Sequence, residues 1–296
     1  MGHPARLTLE SEDLEVELLP EHGARLHRIR AFGVDLLRTP NDVATHGTEP
    51  FFWGAYLMAP WCNRAQPGPI EIGGRTIDLS PNFGDGSAIH GQVYARAWEV
   101  ESNDSLRIAA EGDGWPWAYD VRLQASLDAR ALTLSYALTN RSDAPMPAGI
   151  GLHPWFRRPV ELTLPADAVY RSNSESPAHP EPVSGDLDLR WRMQPAPGLD
   201  ATWTAMTAPV LELGWPREGV RATLKVSSAD PPLVAVATPL DVDAAAVEPQ
   251  THGPDGLRRL RRGEPDAMRM LGPGASLDLV LRLTVDREAG GTYLCR

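Results

Sequence analysis

Lysine is almost missing from this chain of 296 residues, with Lys225 the only one. A Schiff-base or P-loop lysine therefore has a single candidate. Lys225 lies in the alternating run Val220–Val226 with no glycine-rich loop before it, which reads as a solvent-facing strand position. Cysteine is nearly as scarce. Cys62 and Cys295 stand far apart, so neither a disulfide framework nor a Cys-x-x-Cys zinc pattern is available. Cys62 is expected to be a buried free thiol. No run of 18 apolar residues occurs, and the N-terminus carries no stretch like a signal peptide. A cytoplasmic protein without a membrane partner is the expectation. Long basic runs are absent too, and the net charge is −11. That balance argues against nucleic acid or an anionic membrane as partner. The one basic cluster, Arg258-Arg259-Leu260-Arg261-Arg262, is short and reads as a solvated surface segment.

A sustained helical period is also missing, as is the strand–helix–strand alternation of α/β folds. Glycine and proline together number 54 (26 and 28), spread along the whole chain, which breaks long helices throughout. Between the breaks, short runs alternate polar and apolar: Leu14–Leu19, Ala118–Leu127, Ala131–Leu138 and Ser276–Val285. The second and third, separated by Asp128-Ala129-Arg130, read as a hairpin. Period-two alternation implies one buried face and one wet face, as in an antiparallel sheet. Hydrophobic residues make up 42% of the chain, enough for a sizeable core. The expectation is an all-β fold, a large antiparallel β-sandwich forming a single domain over residues 1–296. Residues 171–197, rich in Ser, Pro and Asp, read as a long loop.

Four places set polar residues in unusual surroundings. Asn63-Arg64, after Trp61-Cys62, offers several donors to hydroxyls or a carboxylate. His90 precedes Gly91, a glycine that permits close backbone approach. His153 lies in the apolar segment Gly149–Phe156, followed by Pro154, Trp155 and Phe156. Glu248 follows the apolar approach Ala244-Ala245-Ala246-Val247 and precedes Pro249, which favours extended backbone. Desolvation there would raise the carboxyl pKa and make it a better base near neutral pH. Two histidines and a glutamate suit either a metal site or a metal-free acid–base pair. No His-x-His pair is present, which speaks against metal in a β-sandwich. No Gly-x-Ser-x-Gly elbow marks a serine hydrolase. A glycosidase carboxylate pair, Asp200 with Glu248, stays open.

The ordered set Asn63-Arg64, His90-Gly91 with Trp98, His153-Pro154-Trp155-Phe156, Leu199-Asp200 and Glu248-Pro249-Gln250 with Pro254-Asp255 resembles the aldose 1-epimerase (galactose mutarotase) family. Each motif is short; the ordered set, over residues 55 to 260, is specific. The resemblance implies the family's antiparallel supersandwich and an isomerase that needs no metal and no cofactor. It implies Glu248 as the base at the anomeric hydroxyl and His153 as the acid at the ring oxygen. His90, Arg64 and Asp200 would bind the sugar, Asn63 and Gln250 would assist, and Trp155 or Trp61 would stack on the sugar face. The implied partner is a small-molecule sugar, with the chain a monomer or homodimer. The chain departs from the family pattern at His252-Gly253, Gly256-Leu257 and Ala65, which leaves the sugar open. A free aldose is one substrate class. A hexose 6-phosphate is another and would need arginines such as Arg64 and Arg96 to converge. A sugar-binding protein without catalysis is the reading of a different class.

Overall fold

A computed structural model describes residues 6–288. Cys295 lies outside the described residues. The alternating runs become strands at nearly the expected bounds: Leu14–Leu19, Trp115–Asp128, Ala131–Asn140 and Ser276–Arg287. The expected hairpin is present, with Asp128 opposite Ala131 and Ala129 at φ 45° in the turn. Lys225 is exposed in the strand Val220–Ser228. Residues 171–197 hold only the short strand Glu181–Pro182 and one turn of 3-10 helix, Gly185–Leu187.

Two large sheets pack face to face, one of 11 strands and one of 8. The fold is a large antiparallel β-sandwich. Between the sheets lies a continuous apolar core, to which Leu57, Leu152, Phe156, Val234 and Val247 contribute from the larger sheet and Leu134, Leu224 and Leu281 from the smaller. Burying each such side chain contributes about 1.5–3 kcal/mol. Neighbouring central strands of the larger sheet run in the order Arg25–Ala31, Ala55–Met58, Gly151–Arg157, Ala244–Gln250, Leu233–Ala237, Asp200–Met206. Among the described residues no helix is long and apolar enough to cross a membrane.

Side chains that alternate away from the core emerge on the outer face of the larger sheet. There Tyr56, Met58, Trp155, Ala244 and Ala246 form a second, smaller cluster with Cys62. The strands are buried on both faces because loops cover this outer face. One close crossing sets their position: the strand-like segment at Gly91 bridges to Ala59, and Gly91 has φ 75°.

The arginine cluster is solvated only in part: Arg261 and Arg262 are exposed, as expected, whereas Arg259 is not. Residues Gly256–Arg262 form a short helix capped by the Asp255 carboxylate, which accepts from the Arg258 N–H. Arg259 is fully buried. Its guanidinium lies 4.2 Å from the Tyr170 ring centroid and donates to the carbonyls of Pro254, Ala178, Pro265 and Pro177. A run too short to show a helical period conceals this burial from sequence inspection. Cys62 is buried and free, as expected.

A β-carbon at position 91 would lie 2.0 Å from the Ala59 carbonyl oxygen, on a backbone that only glycine adopts readily. Gly91→Ala is therefore expected to lower stability by roughly 2–4 kcal/mol, read from the urea midpoint. An unchanged midpoint would show that the crossing carries no such constraint.

Candidate active site

The site grows out of strand register. Gly151 pairs with Gln250 and Trp155 with Ala246, so His153 and Glu248 stand opposite one another on adjacent strands. His153 also pairs with Tyr56, and Glu248 with Ala235. All four side chains alternate to the outer face. The row continues to Thr202 on one side and, one step beyond the Leu26–Ala55 pair, to Arg25 on the other. Small residues Ala235, Ala237 and Ala246 leave room above the sheet.

Over this row lies a cavity of about 230 Å³. His153, Glu248, His90, Arg64, Asn63, Asp200 and Trp155 all line it. Segments far apart in sequence thus meet at one place. His153 Nε2 is 3.2 Å from Glu248 Oε1, and both side chains are almost fully buried, at 5% and 4% exposure. Tyr56 stacks on His153 at 4.6 Å between centroids, and His90 meets it edge-on at 4.9 Å. His90 Nδ1, His153 Nδ1 and Glu248 Oε2 are buried with no hydrogen-bond partner. Such orphaned polar atoms in an open cavity are the groups a polar ligand satisfies.

Prolines interrupt the ladder at the same spot. Thr251 N–H donates to Ile150 O, and Trp155 N–H points the other way, to Gly54 O. By that alternation, the N–H positions of residues 154 and 249 face the partner strand and would bracket the His153–Glu248 pair. Both are proline and donate nothing.

Burial governs the protonation of the pair. It pushes the Glu248 carboxyl up to about 8, reinforced by Asp200 and opposed by Arg64. It pulls His153 down to about 3, with the Arg25 charge also lowering it. His90 is likewise driven well below its ordinary value by burial, then by His153 and Arg64. All three shifts run the same way, favouring a proton on Glu248 and neutral imidazoles at His153 and His90.

Polar anchors flank the pair. Arg64 Nε donates to Asp85 Oδ2 at 2.7 Å, and its Nη1 lies 3.4 Å from Asp200 Oδ2. Asp200 Oδ1 accepts from Asn173 Nδ2 at 2.6 Å, and Asn173 Oδ1 accepts from Thr202. Asn63 and His90 both have left-handed backbone, φ 55° and 64°. The Asn63 carbonyl accepts from the His90 N–H, and the Asn63 side chain accepts from the Arg64 N–H. Strained backbone held by this mutual bonding is typical of positioned functional groups.

Gln250 and Trp61 do not join the cavity lining. The Gln250 amide donates to His252 O, one step along the strand from Glu248. Trp61 stacks on Trp115 within the main core and donates to Ala88 O. Tyr56, Asn173, Phe51, Phe52 and Phe83 line the cavity without having stood out in the sequence. Tyr56 lies in the four-residue strand Ala55–Met58, buried throughout and so without a polar alternation to mark it, and Asn173 lies in the Ser- and Pro-rich stretch.

The fold also overcomes the missing His-x-His spacing. His90, His153 and Glu248 each bring one ligand atom within 4.8 Å of the others. Two neutral imidazoles with a glutamate that has given up its proton would form a donor set of the type that holds zinc.

Residues 5–235 match the family model for aldose 1-epimerase. The chain belongs to the aldose 1-epimerase family. The matched span includes Arg64, His90, His153 and Asp200; Glu248 lies beyond it and is placed by register. The protein YphB of Escherichia coli (strain K12), itself uncharacterised, is 26% identical over 248 residues, covering 78% of this chain and 83% of that protein. A putative aldose 1-epimerase structure from E. coli K12 has TM-score 0.80 at 21% identity, covering 95% of this chain and 99% of that one. A galactose mutarotase-like protein from Clostridium acetobutylicum has TM-score 0.81 at 16% identity, covering 95% and 94%. These two likenesses establish the family's sandwich as the fold.

The raised Glu248 pKa has a thermodynamic sign. The folded state binds this proton more tightly than the unfolded chain does, so the stabilisation is full below the ordinary value of 4.5 and is lost as pH rises through about 8. Glu248→Gln, which cannot ionise, is expected to gain stability relative to wild type as pH rises across that window. Parallel denaturation curves at every pH would contradict the tight proton binding.

Proposed function

We propose that this chain interconverts the anomers of a free, uncharged aldose by acid–base ring opening and reclosure. The observation that carries the reading is the buried His153–Glu248 contact at 3.2 Å, on the floor of the cavity. Ring opening needs a proton removed from the anomeric hydroxyl and another delivered to the ring oxygen. With the proton on His153, Glu248 takes the hydroxyl proton and His153 donates to the ring oxygen. The pair then stands with Glu248 protonated and His153 neutral, the arrangement that burial favours. Rotation about C1–C2 and reclosure with the roles reversed give the other anomer and restore the first state. The pair ends each cycle with the proton it began with, so no external acid, base, metal or cofactor takes part.

In this reading His90 sits beside the acid and offers its unpartnered ring nitrogen to a sugar oxygen. Arg64, Asp200 and Asn63 hold sugar hydroxyls, and the Trp155 ring lies against the sugar. A pure binding protein has no need of two titratable groups desolvated against one another. A phosphorylated sugar is disfavoured by charge. Among the described residues, Arg64 is the only arginine or lysine lining the cavity, and it is engaged by Asp85 and Asp200. Arg96 pairs with Asp113 and lines a different cavity, beside Trp61 and Gln92.

Polarimetry of freshly dissolved α-D-glucose and α-D-galactose tests the reading. Wild type is expected to speed relaxation to the same final rotation. Glu248→Gln and His153→Asn are each expected to slow kcat by roughly 10²–10⁴-fold, the usual contribution of a positioned acid or base. Dialysis against a chelator is expected to leave the rate unchanged. Acceleration only with hexose 6-phosphates would move the substrate class, and no acceleration with any aldose would return the chain to the binding-protein reading.

A further inference from the structure

Arg25 is an unusual residue for the interior of this fold. It is 1% exposed, and burial pulls its pKa down to about 10, which leaves it charged at neutral pH. Its partners are carbonyl dipoles and a ring face rather than a carboxylate. Nη1 donates to Trp53 O at 2.7 Å, and Nη2 donates to Pro50 O at 2.7 Å and Tyr94 O at 3.4 Å. The guanidinium carbon lies 4.6 Å from the Tyr56 ring centroid, and the Tyr56 ring also stacks on His153 at 4.6 Å. Arg25, Tyr56 and His153 stand side by side in one cross-strand row.

Two of the carbonyls Arg25 grips, those of Pro50 and Trp53, flank Phe51 and Phe52, which form an aromatic wall of the cavity. Every carbonyl from residue 50 to residue 53 accepts from a side chain. Pro50 and Trp53 accept from Arg25, Phe51 from Trp155 and Tyr56, and Phe52 from Arg38. Arg25 holds both ends of this wall. A buried guanidinium is also costly to desolvate, and a hydrophobic residue of similar volume is often no less stable in its place. Its presence beside the His153 stack is better matched to positioning than to stability.

We propose that Arg25 is a positioning residue for the acid–base pair: it fixes the Tyr56 ring on which His153 stacks and locks that stack to the cavity wall at Pro50–Trp53. The proposal rests on the epimerase reading for its effect on rate. His153 is faced by Tyr56 and, beyond it, Arg25 on one side, by Glu248 on the other, and by His90 and Trp155. Small displacements of a catalytic group are costly, on the order of 10²-fold for about 1 Å.

The test compares Arg25→Met, Arg25→Lys and Tyr56→Leu in the full chain by mutarotation kinetics, with a crystal structure and a urea midpoint for each folded variant. Arg25→Met is expected to lower kcat about 10–100-fold with a smaller change in KM, and its structure to show the Tyr56 ring and residues 50–53 displaced. Arg25→Lys is expected to recover part of kcat, because it restores the charge without the fork. Wild-type kcat in folded Arg25→Met would overturn the proposal. So would a kcat loss with the Tyr56 ring unmoved, or a loss of kcat and KM together that only follows the fall in the urea midpoint. If Arg25→Met does not fold, Tyr56→Leu decides with Arg25 intact: the same kcat loss supports the stack, and wild-type kcat sinks it. If wild type accelerates no aldose, the epimerase reading falls, while the position of the Tyr56 ring in Arg25→Met still reports on Arg25.

Discussion

Two titratable side chains buried against each other create the constraint that the remainder of this structure serves. Removing His153 and Glu248 from water penalises either one when charged, and each has a buried atom without a hydrogen-bond partner. The sheet accepts this because its register sets them opposite one another, where a single shared proton keeps the pair uncharged. The flanking row serves the same end. Alanines at 235, 237 and 246 keep space above the pair, and Tyr56 shields one imidazole face. Polar anchors stay nearer the mouth, where Asp200 retains 39% exposure and Arg64 13%.

The fold was legible from alternation alone, because period-two patterning is a direct record of which face each residue presents. Leu14–Leu19 and Ser276–Val285 needed no other argument. The candidate site was legible differently. No spacing rule connects Asn63, His90, His153, Asp200 and Glu248; the ordered resemblance gathered them, and register then explained their meeting. Gln250 was misplaced by its neighbour: two residues from Glu248, it shares the sheet face but lies one row beyond the cavity. Trp61 was misplaced because an indole next to a polar motif looks the same whether it faces a sugar or a core. Arg259 and Arg25 escaped notice for a shared reason. A buried arginine satisfied by carbonyls leaves no sequence partner, since every chain position carries a carbonyl.

The two arginines make a pattern that composition alone hides. Each lies over a tyrosine ring, Arg25 over Tyr56 and Arg259 over Tyr170. Each gathers carbonyls from loops that would otherwise leave them unsatisfied. The tyrosines belong to the same cross-strand row, on either side of the acid–base pair. With only one lysine in the chain, and that one exposed, interior cation work of this kind falls to arginine. Its planar fork suits the task of reaching several acceptors at once.

The paired prolines at 154 and 249 bear on how firmly two strands are joined. Four ladder bonds would bracket His153 and Glu248, and the two that need an N–H from these residues cannot form. The other two run the opposite way, to the proline carbonyls, and make the bridges Gly151–Gln250 and Trp155–Ala246. Half of the usual cross-links are thus missing over this span alone, so the two strands are tied there by single bonds where the neighbouring ladder has pairs.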